Sequence, residues 1–282
     1  MPQKTIDLLH AGIHANQQDP KRHGNVIHLP DRGSLIVSGD LHGHRRNFER
    51  IVTCANLKEH PDRHVLLQEI IHGGPQNDRG GCLSYQLILD AIRYKLDYPE
   101  QVHIILGNHD TAFICNAEVM KDGREMNRSV FQALEHEYSS QWTAVRDALS
   151  EFLFSQPLAV HTKNGLWMSH SLPADRLADQ FDATIFDREI THTDLVKPGG
   201  VYILTWGRRM SQDLLDRLAK QLGVEVFILG HQPQPEGWQQ AGENLIILAC
   251  DHNHGCILRV DLSEPCSMAK LTHSILPLSA IA

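Results

Sequence analysis

"HVLLQEIIHGGPQNDRGG", residues 64–81, runs from an apolar segment, His64 to Gln68, into a loop that carries Glu69 and then Asp78 ahead of a glycine pair. A short run rich in Val and Leu and bounded by turn residues predicts a buried strand, here one that ends on an acid. The same pattern recurs in "SLIVSG" (34–39), "VHIILG" (102–107), "LWMS" (166–169), "VEVFILG" (224–230), "NLIILAC" (244–250) and "CILRVDL" (256–262). Helical patterns lie between the early strands. In "CLSYQLILDAIRYKL" the residues Leu83, Leu87, Ile88, Ala91 and Ile92 recur at helical spacing, and Tyr98-Pro99 closes the segment. In "SQDLLDRLAKQLG", Ser211 suits the N-cap, Leu214, Leu215, Leu218 and Leu222 form the apolar stripe, and Gly223 suits the C-terminal cap. Strands alternating with helices early, then mostly strands, predict a layered α/β (α+β) fold with mixed sheets.

Composition limits the partners. The chain has 282 residues, 41% of them hydrophobic, so a sizeable core is available. Its net charge is −8, with no block of like charges, which supports neither nucleic acid nor an anionic membrane as partner. Six cysteines are scattered without a C-x-x-C pair, and no basic-then-apolar leader opens the sequence, so a reducing, cytoplasmic setting is expected. No apolar run approaches the roughly 18 residues of a bilayer span, so a soluble protein is expected. Without repeats or Pro/Gly/Ser linkers, residues 1–282 are expected to form one domain, with a helical insertion at about 113–156 that can cap a cleft. Residues 173–200 are polar and irregular and predict a surface connection.

The strand ends are more specific. Asp40-Leu41-His42-Gly43, Glu69, Asn108-His109-Asp110, His170 and His231 all stand directly beyond predicted strands. In open α/β sheets the crevice beyond the carboxyl ends of strands binds ligands, so these groups can converge. Carboxylates, imidazoles and a carboxamide, with no thiolate, suit two divalent ions such as Mn, Fe or Zn better than a structural zinc. In Asp40-x-His42, alternate residues of an extended segment point the same way and can reach one ion.

"GDLHGH", "NDRGG", "YPEQVHIILGNHD", "WMSHSLP" and "ILGHQP" occur in the order and rough spacing of the calcineurin-like metallophosphoesterases. Over about residues 34–262 the chain resembles their phosphoprotein-phosphatase branch, with its bis(5'-nucleosyl)-tetraphosphatase relatives. The resemblance implies a β-sandwich flanked by helices and a two-metal centre. Asp40 and His42 would hold one ion, Asn108, His170 and His231 the other, and an acid would bridge both. His109 would protonate the leaving group with Asp78 orienting its ring, while Arg79 and one of Arg208 and Arg209 would grip phosphate oxygens.

The chain also departs from the family pattern. The second motif is normally GD-x-x-DRG, whose first Asp bridges the metals, yet Pro75 stands three residues before Asp78. Counted from the strand instead, Gln68-Glu69 replaces Gly-Asp and "IIHGG" is inserted before Asp78. Glu69 lies 29 residues after Asp40, close to the family's interval, so Glu69 is the expected bridge; His72 is a second candidate ligand. Asp78 also suits the N-cap of the following helix. Leu106 stands where the branch carries an arginine, and "HSLP" is shorter than the usual HGG form. Asp251, His252 and His254 are expected in a loop outside the metal set, and Trp142, Trp167 and Trp206 in packing roles. The expected function is a dinuclear phosphoesterase, with manganese among the expected ions, that hydrolyses phosphomonoesters or phosphoanhydrides with metal-activated water, a Ser/Thr protein phosphatase being one form. Its substrate would be a phosphorylated protein or a small phosphorylated metabolite. The alternatives are a dinucleoside polyphosphate hydrolase and a non-catalytic phosphate-binding regulatory protein.

Overall fold

The computed structural model describes residues 2–121 and 123–281. Strand Ser34–Asp40 pairs in parallel with Arg63–Gln68, which pairs in parallel with Val102–Ile105. Cys256–Asp261 and Ile275–Pro277 extend this sheet antiparallel on the other side, giving five strands. A second sheet of seven strands carries Leu166–Ser169, Val226–Leu229 and Leu245–Leu248 as parallel neighbours, with antiparallel strands toward its edges.

The inner faces of the two sheets meet. Leu35, Val37, Leu66 and Ile105 from the first pack with Met168, Val226, Ile228 and Ile246 from the second in one apolar cluster. Outer faces are covered by helices. Ile36, Val65, Leu67 and Ile104 meet residues of Ser84–Asp97 and Trp142–Phe154, while Phe227, Leu229, Leu245 and Ile247 meet Gln212–Leu222. Strands buried on both faces carry unbroken apolar runs rather than alternation, which is why these segments are legible as strands.

The helix Gln212–Leu222 follows its sequence signals: Ser211 Oγ accepts from Leu214 N, and Gly223 ends it at φ 66°. The helix Ser84–Asp97 is instead N-capped by Leu83, so Asp78 does not cap it. Between residues 113 and 156, the helices Met126–Tyr138 and Trp142–Phe154 form as expected, preceded by a two-stranded hairpin, Met120–Lys121 with Arg124–Glu125, that the periodicity does not announce. Trp142–Phe154 packs on Pro2–Gln17, against the core rather than over a cleft: a Cβ on Gly12 would come within 3.0 Å of Phe152. The stretch 173–200 does more than connect, since its Ile185, Phe186 and Leu195 are buried beside Trp167.

At the far end from the strand tips lies a buried polar group. His103 Nδ1 is 3.2 Å and Lys95 Nζ 3.6 Å from Asp19 Oδ2, and His64 Nδ1 is 3.3 Å from His103 Nε2. It ties the loop after the first helix to the starts of two strands and to the helix Ser84–Asp97.

The two sheets are stitched at their carboxyl ends. Asp40 forms an isolated parallel bridge with Ala249, and its carbonyl accepts from Cys250 N at 2.9 Å. A Cβ on Gly39 would lie 2.2 Å from Leu248 O, so only glycine lets the strands pass this closely. This stitch brings strand ends of both sheets to one edge.

Candidate active site

Asp40, the last residue of its strand, accepts from His231 N with both carboxylate oxygens, at 2.9 and 3.0 Å. His42 follows at φ 41°, and its Nδ1 lies 3.1 Å from Ile71 O and 3.0 Å from His72 O. Two carbonyl acceptors fix the proton on Nδ1, so Nε2 is the nitrogen of this ring left to serve as a ligand.

Glu69 also has a positive φ, 45°, and its side chain is fully buried. Oε1 accepts from His109 N at 2.8 Å, while Oε2 lies 2.7 Å from His170 Nε2. A Cβ on Gly107 would sit 2.7 Å from Oε1, so the glycine is what admits the carboxylate. Asn108 Oδ1 lies 2.8 Å from His170 Nε2 and 2.7 Å from His231 Nδ1. His170 Nδ1 donates to Gln68 Oε1 at 3.0 Å, and Gln68 Nε2 donates to Ser38 O at 2.9 Å, which holds the ring with Nε2 toward Glu69. Two groups result, Asp40/His42/Glu69 and Glu69/His170/His231, in each of which one ligand atom per residue lies within 4.8 Å of the others. Glu69 belongs to both.

Burial dominates the electrostatics. It pushes the Asp40 carboxyl up to about 7, with Glu69 adding to the rise and His170 opposing it. Asp110, which accepts from Gly107 N, is raised by burial and then by Glu69. Burial lowers His170 and His231, which favours the neutral form that metal coordination requires. Crowded buried acids beside neutral imidazoles and a carboxamide oxygen form a donor set that divalent cations fit.

A cleft of about 200 Å³ opens over these groups, lined also by His109, Arg208, Met120 and Asp251. His109 Nδ1 lies 2.8 Å from His72 Nδ1, and its ring stands edge-on to His42 at 4.9 Å. Arg208 Nε donates to His231 Nε2 at 3.1 Å, whereas Arg209 lines a neighbouring pocket of about 450 Å³ with Trp206, Arg176 and Arg208. His252 Nε2 bonds Gln234 O at 2.9 Å. Trp206 stacks on Tyr202 and stands 6.4 Å from the His231 ring.

Asp78 and Arg79 are not brought to this cleft. Both are exposed, and Arg79 lines separate surface depressions beside Gln132. Asn77 Oδ1 accepts from Arg79 N and Gly81 N, at 3.1 and 2.8 Å, and Gln76 bridges Cys82, so "NDRGG" folds as a surface turn. His72, not Asp78, stands at the His109 ring. A signal for it exists in the sequence: His72 is three residues after Glu69, the interval that separates the two acids of GD-x-x-DRG, with Gly73 at the arginine position. The NDRG lettering at 77–80 imitates the family motif more closely and so masks it. Met120 was not foreseen either, because the hairpin that carries it leaves no periodic trace.

The calcineurin-like phosphoesterase family model matches residues 33–235. A probable serine/threonine-protein phosphatase of Encephalitozoon cuniculi is 21% identical over 236 residues, covering 76% of this chain. The chain spans 46% of that relative's length. Among solved structures, a protein serine/threonine phosphatase from Saccharomyces cerevisiae with similarity to human phosphatase PP5 superposes with TM-score 0.74 at 14% identity, covering 99% of this chain and 93% of the other. The cold-active protein-tyrosine phosphatase of a psychrophilic Shewanella superposes with TM-score 0.58 at 11% identity, covering 86% and 79%. Both superpositions have the two-sheet, helix-flanked fold in common with this chain.

Proposed function

Because this chain belongs to the calcineurin-like phosphoesterase family, whose members are metal-dependent hydrolases, we infer that it is a dinuclear phosphoesterase acting on phosphomonoesters or phosphoanhydrides. The supporting observation is that Glu69 is shared by the two ligand groups, as a carboxylate bridging two ions would be. Asp40 and His42 would hold one ion, Asn108, His170 and His231 the other. When bound, such ions supply an activated water and neutralise charge on the phosphoryl group.

The chain's own residues do the rest. Arg208 reaches the cleft and can fork onto phosphoryl oxygens. As the P–O bond breaks, the electron pair stays on the leaving oxygen, and His109 Nε2 gives it a proton. The small cleft takes the phosphoryl group and leaves the remainder of the substrate outside it.

A protein phosphatase role is supported by the relatives' names. A small phosphorylated metabolite, including a dinucleoside polyphosphate, is supported by the adjoining pocket, where Trp206 and three arginines can meet a ring and further phosphates. The test is metal analysis with turnover of p-nitrophenyl phosphate in added Mn. About two ions per chain and activity abolished by His109→Ala are expected; full occupancy without turnover of any phosphoester would favour a phosphate-binding protein. Phosphopeptides, nucleotides and dinucleoside polyphosphates compared side by side separate the substrate classes.

A further inference from the structure

We propose that His72 is the positioning residue for His109, accepting the His109 Nδ1 proton and thereby aiming Nε2 at the leaving oxygen. The proposal rests on the reading of His109 as proton donor. The Nδ1 atoms of the two rings are 2.8 Å apart, and only one proton can lie between them. A histidine that gives up a proton from Nε2 carries protons on both nitrogens beforehand. The shared proton therefore belongs to His109, and His72 is the acceptor, in its Nε2–H tautomer.

The surroundings of His72 are built to hold that acceptor still. Its side chain is buried, its backbone N donates to Ser84 Oγ at 2.9 Å, and its carbonyl faces His42 Nδ1. Its ring meets His109 edge-on at 5.1 Å and Phe113 at a tilt at 6.4 Å. The backbone is held at φ 65°, a conformation in which a non-glycine residue persists only when its surroundings enforce it. His72 belongs to neither ligand group. A neutral acceptor also adds no charge to a site where Asp40, Glu69 and Asp110 already crowd one another. In the step itself, a water oxygen bonds to phosphorus as the P–O bond to the leaving group breaks, the leaving oxygen takes the electron pair and the Nε2 proton, and His109 ends neutral with its Nδ1 proton still hydrogen-bonded to His72.

The test compares His72→Leu, which removes the acceptor, with His72→Asn, whose amide oxygen can occupy the Nδ1 position. With Mn-loaded enzyme and aryl phosphates, His72→Leu is expected to lose about 10- to 100-fold on phenyl phosphate, to change little on 2,4-dinitrophenyl phosphate, whose leaving group needs no proton, and to keep its metal. His72→Asn should recover most of the loss. Histidine-15N NMR of the Zn-loaded protein reads the pairing without turnover: Nδ1–H at His109 and Nε2–H at His72 are expected, with the first lost in His72→Leu. If His72→Leu does not fold, His72→Gln, whose amide reaches past the Nδ1 position, takes its place. A uniform loss across the phosphate series, loss of metal, or the reverse tautomers would overturn the proposal. Absence of any turnover by the wild type would instead remove the phosphoesterase reading, and the tautomers would still decide the pairing.

Discussion

Glu69 Oε2 stands 2.7 Å from His170 Nε2, although Glu69 follows a strand of the five-stranded sheet and His170 a strand of the seven-stranded one. The contact is where the two candidate ligand groups meet. Glu69→Ala should reduce bound metal from about two ions to one or fewer per chain, and turnover by at least about 100-fold. Elemental analysis and p-nitrophenyl phosphate assays check both, and retention of both would remove Glu69 from the centre.

Gln68 touches His170 from behind, through Nδ1. Partners that hold a ligating histidine's other nitrogen typically carry about 10- to 100-fold in metal affinity. Gln68→Leu should therefore weaken metal binding by that factor while Gln68→Glu retains it, as titration with a competing chelator would measure.

Asp78→Ala and Arg79→Ala should leave KM and kcat within about twofold of wild type, surface substitutions being nearly neutral. Arg208→Ala should raise KM by about 10-fold or more, the scale of a charge-assisted hydrogen bond. A large kcat loss in Asp78→Ala would return this residue to the chemistry.

The buried Asp19 group makes a prediction about acid. Burial alone would raise the Asp19 carboxyl, but the His103 bond and charge and the Lys95 charge outweigh it and bring it down to about 2. Its folded value is thus below the unfolded value of about 3.9, so its contribution is present above pH ~4 and lost as pH falls through about 2. Asp19→Asn should lower unfolding free energy by about 2–3 kcal/mol at pH 6, and the difference from wild type should shrink toward pH 2. Urea denaturation at several pH values would show it.

The strands and the layered fold were legible because doubly buried strands are written as uninterrupted apolar runs, and the residues of the two candidate groups because each stands at the end of such a run. His170 and His231 needed no more than that. The surroundings of His109 were not legible in the same way: Asn77 makes "NDRGG" a surface turn through a side-chain bond that lettering does not reveal. The hairpin bearing Met120 has strands of two residues, too short to express any period. The polar appearance of 173–200 hid Ile185 and Phe186, whose burial depends on Trp167 from a distant strand.

His42, Glu69, His72 and His231 all hold positive φ, between 41° and 67°, where residues other than glycine are uncommon. Each such residue costs on the order of 1–3 kcal/mol, and bound ions offset that cost by mass action. With ions held here, metal supply would set the firmness of this edge of the protein as well as its reactivity. In metal-poor medium the first symptom should be faster amide exchange and protease nicking around 41–44 and 69–74, with the sheets behind them still intact.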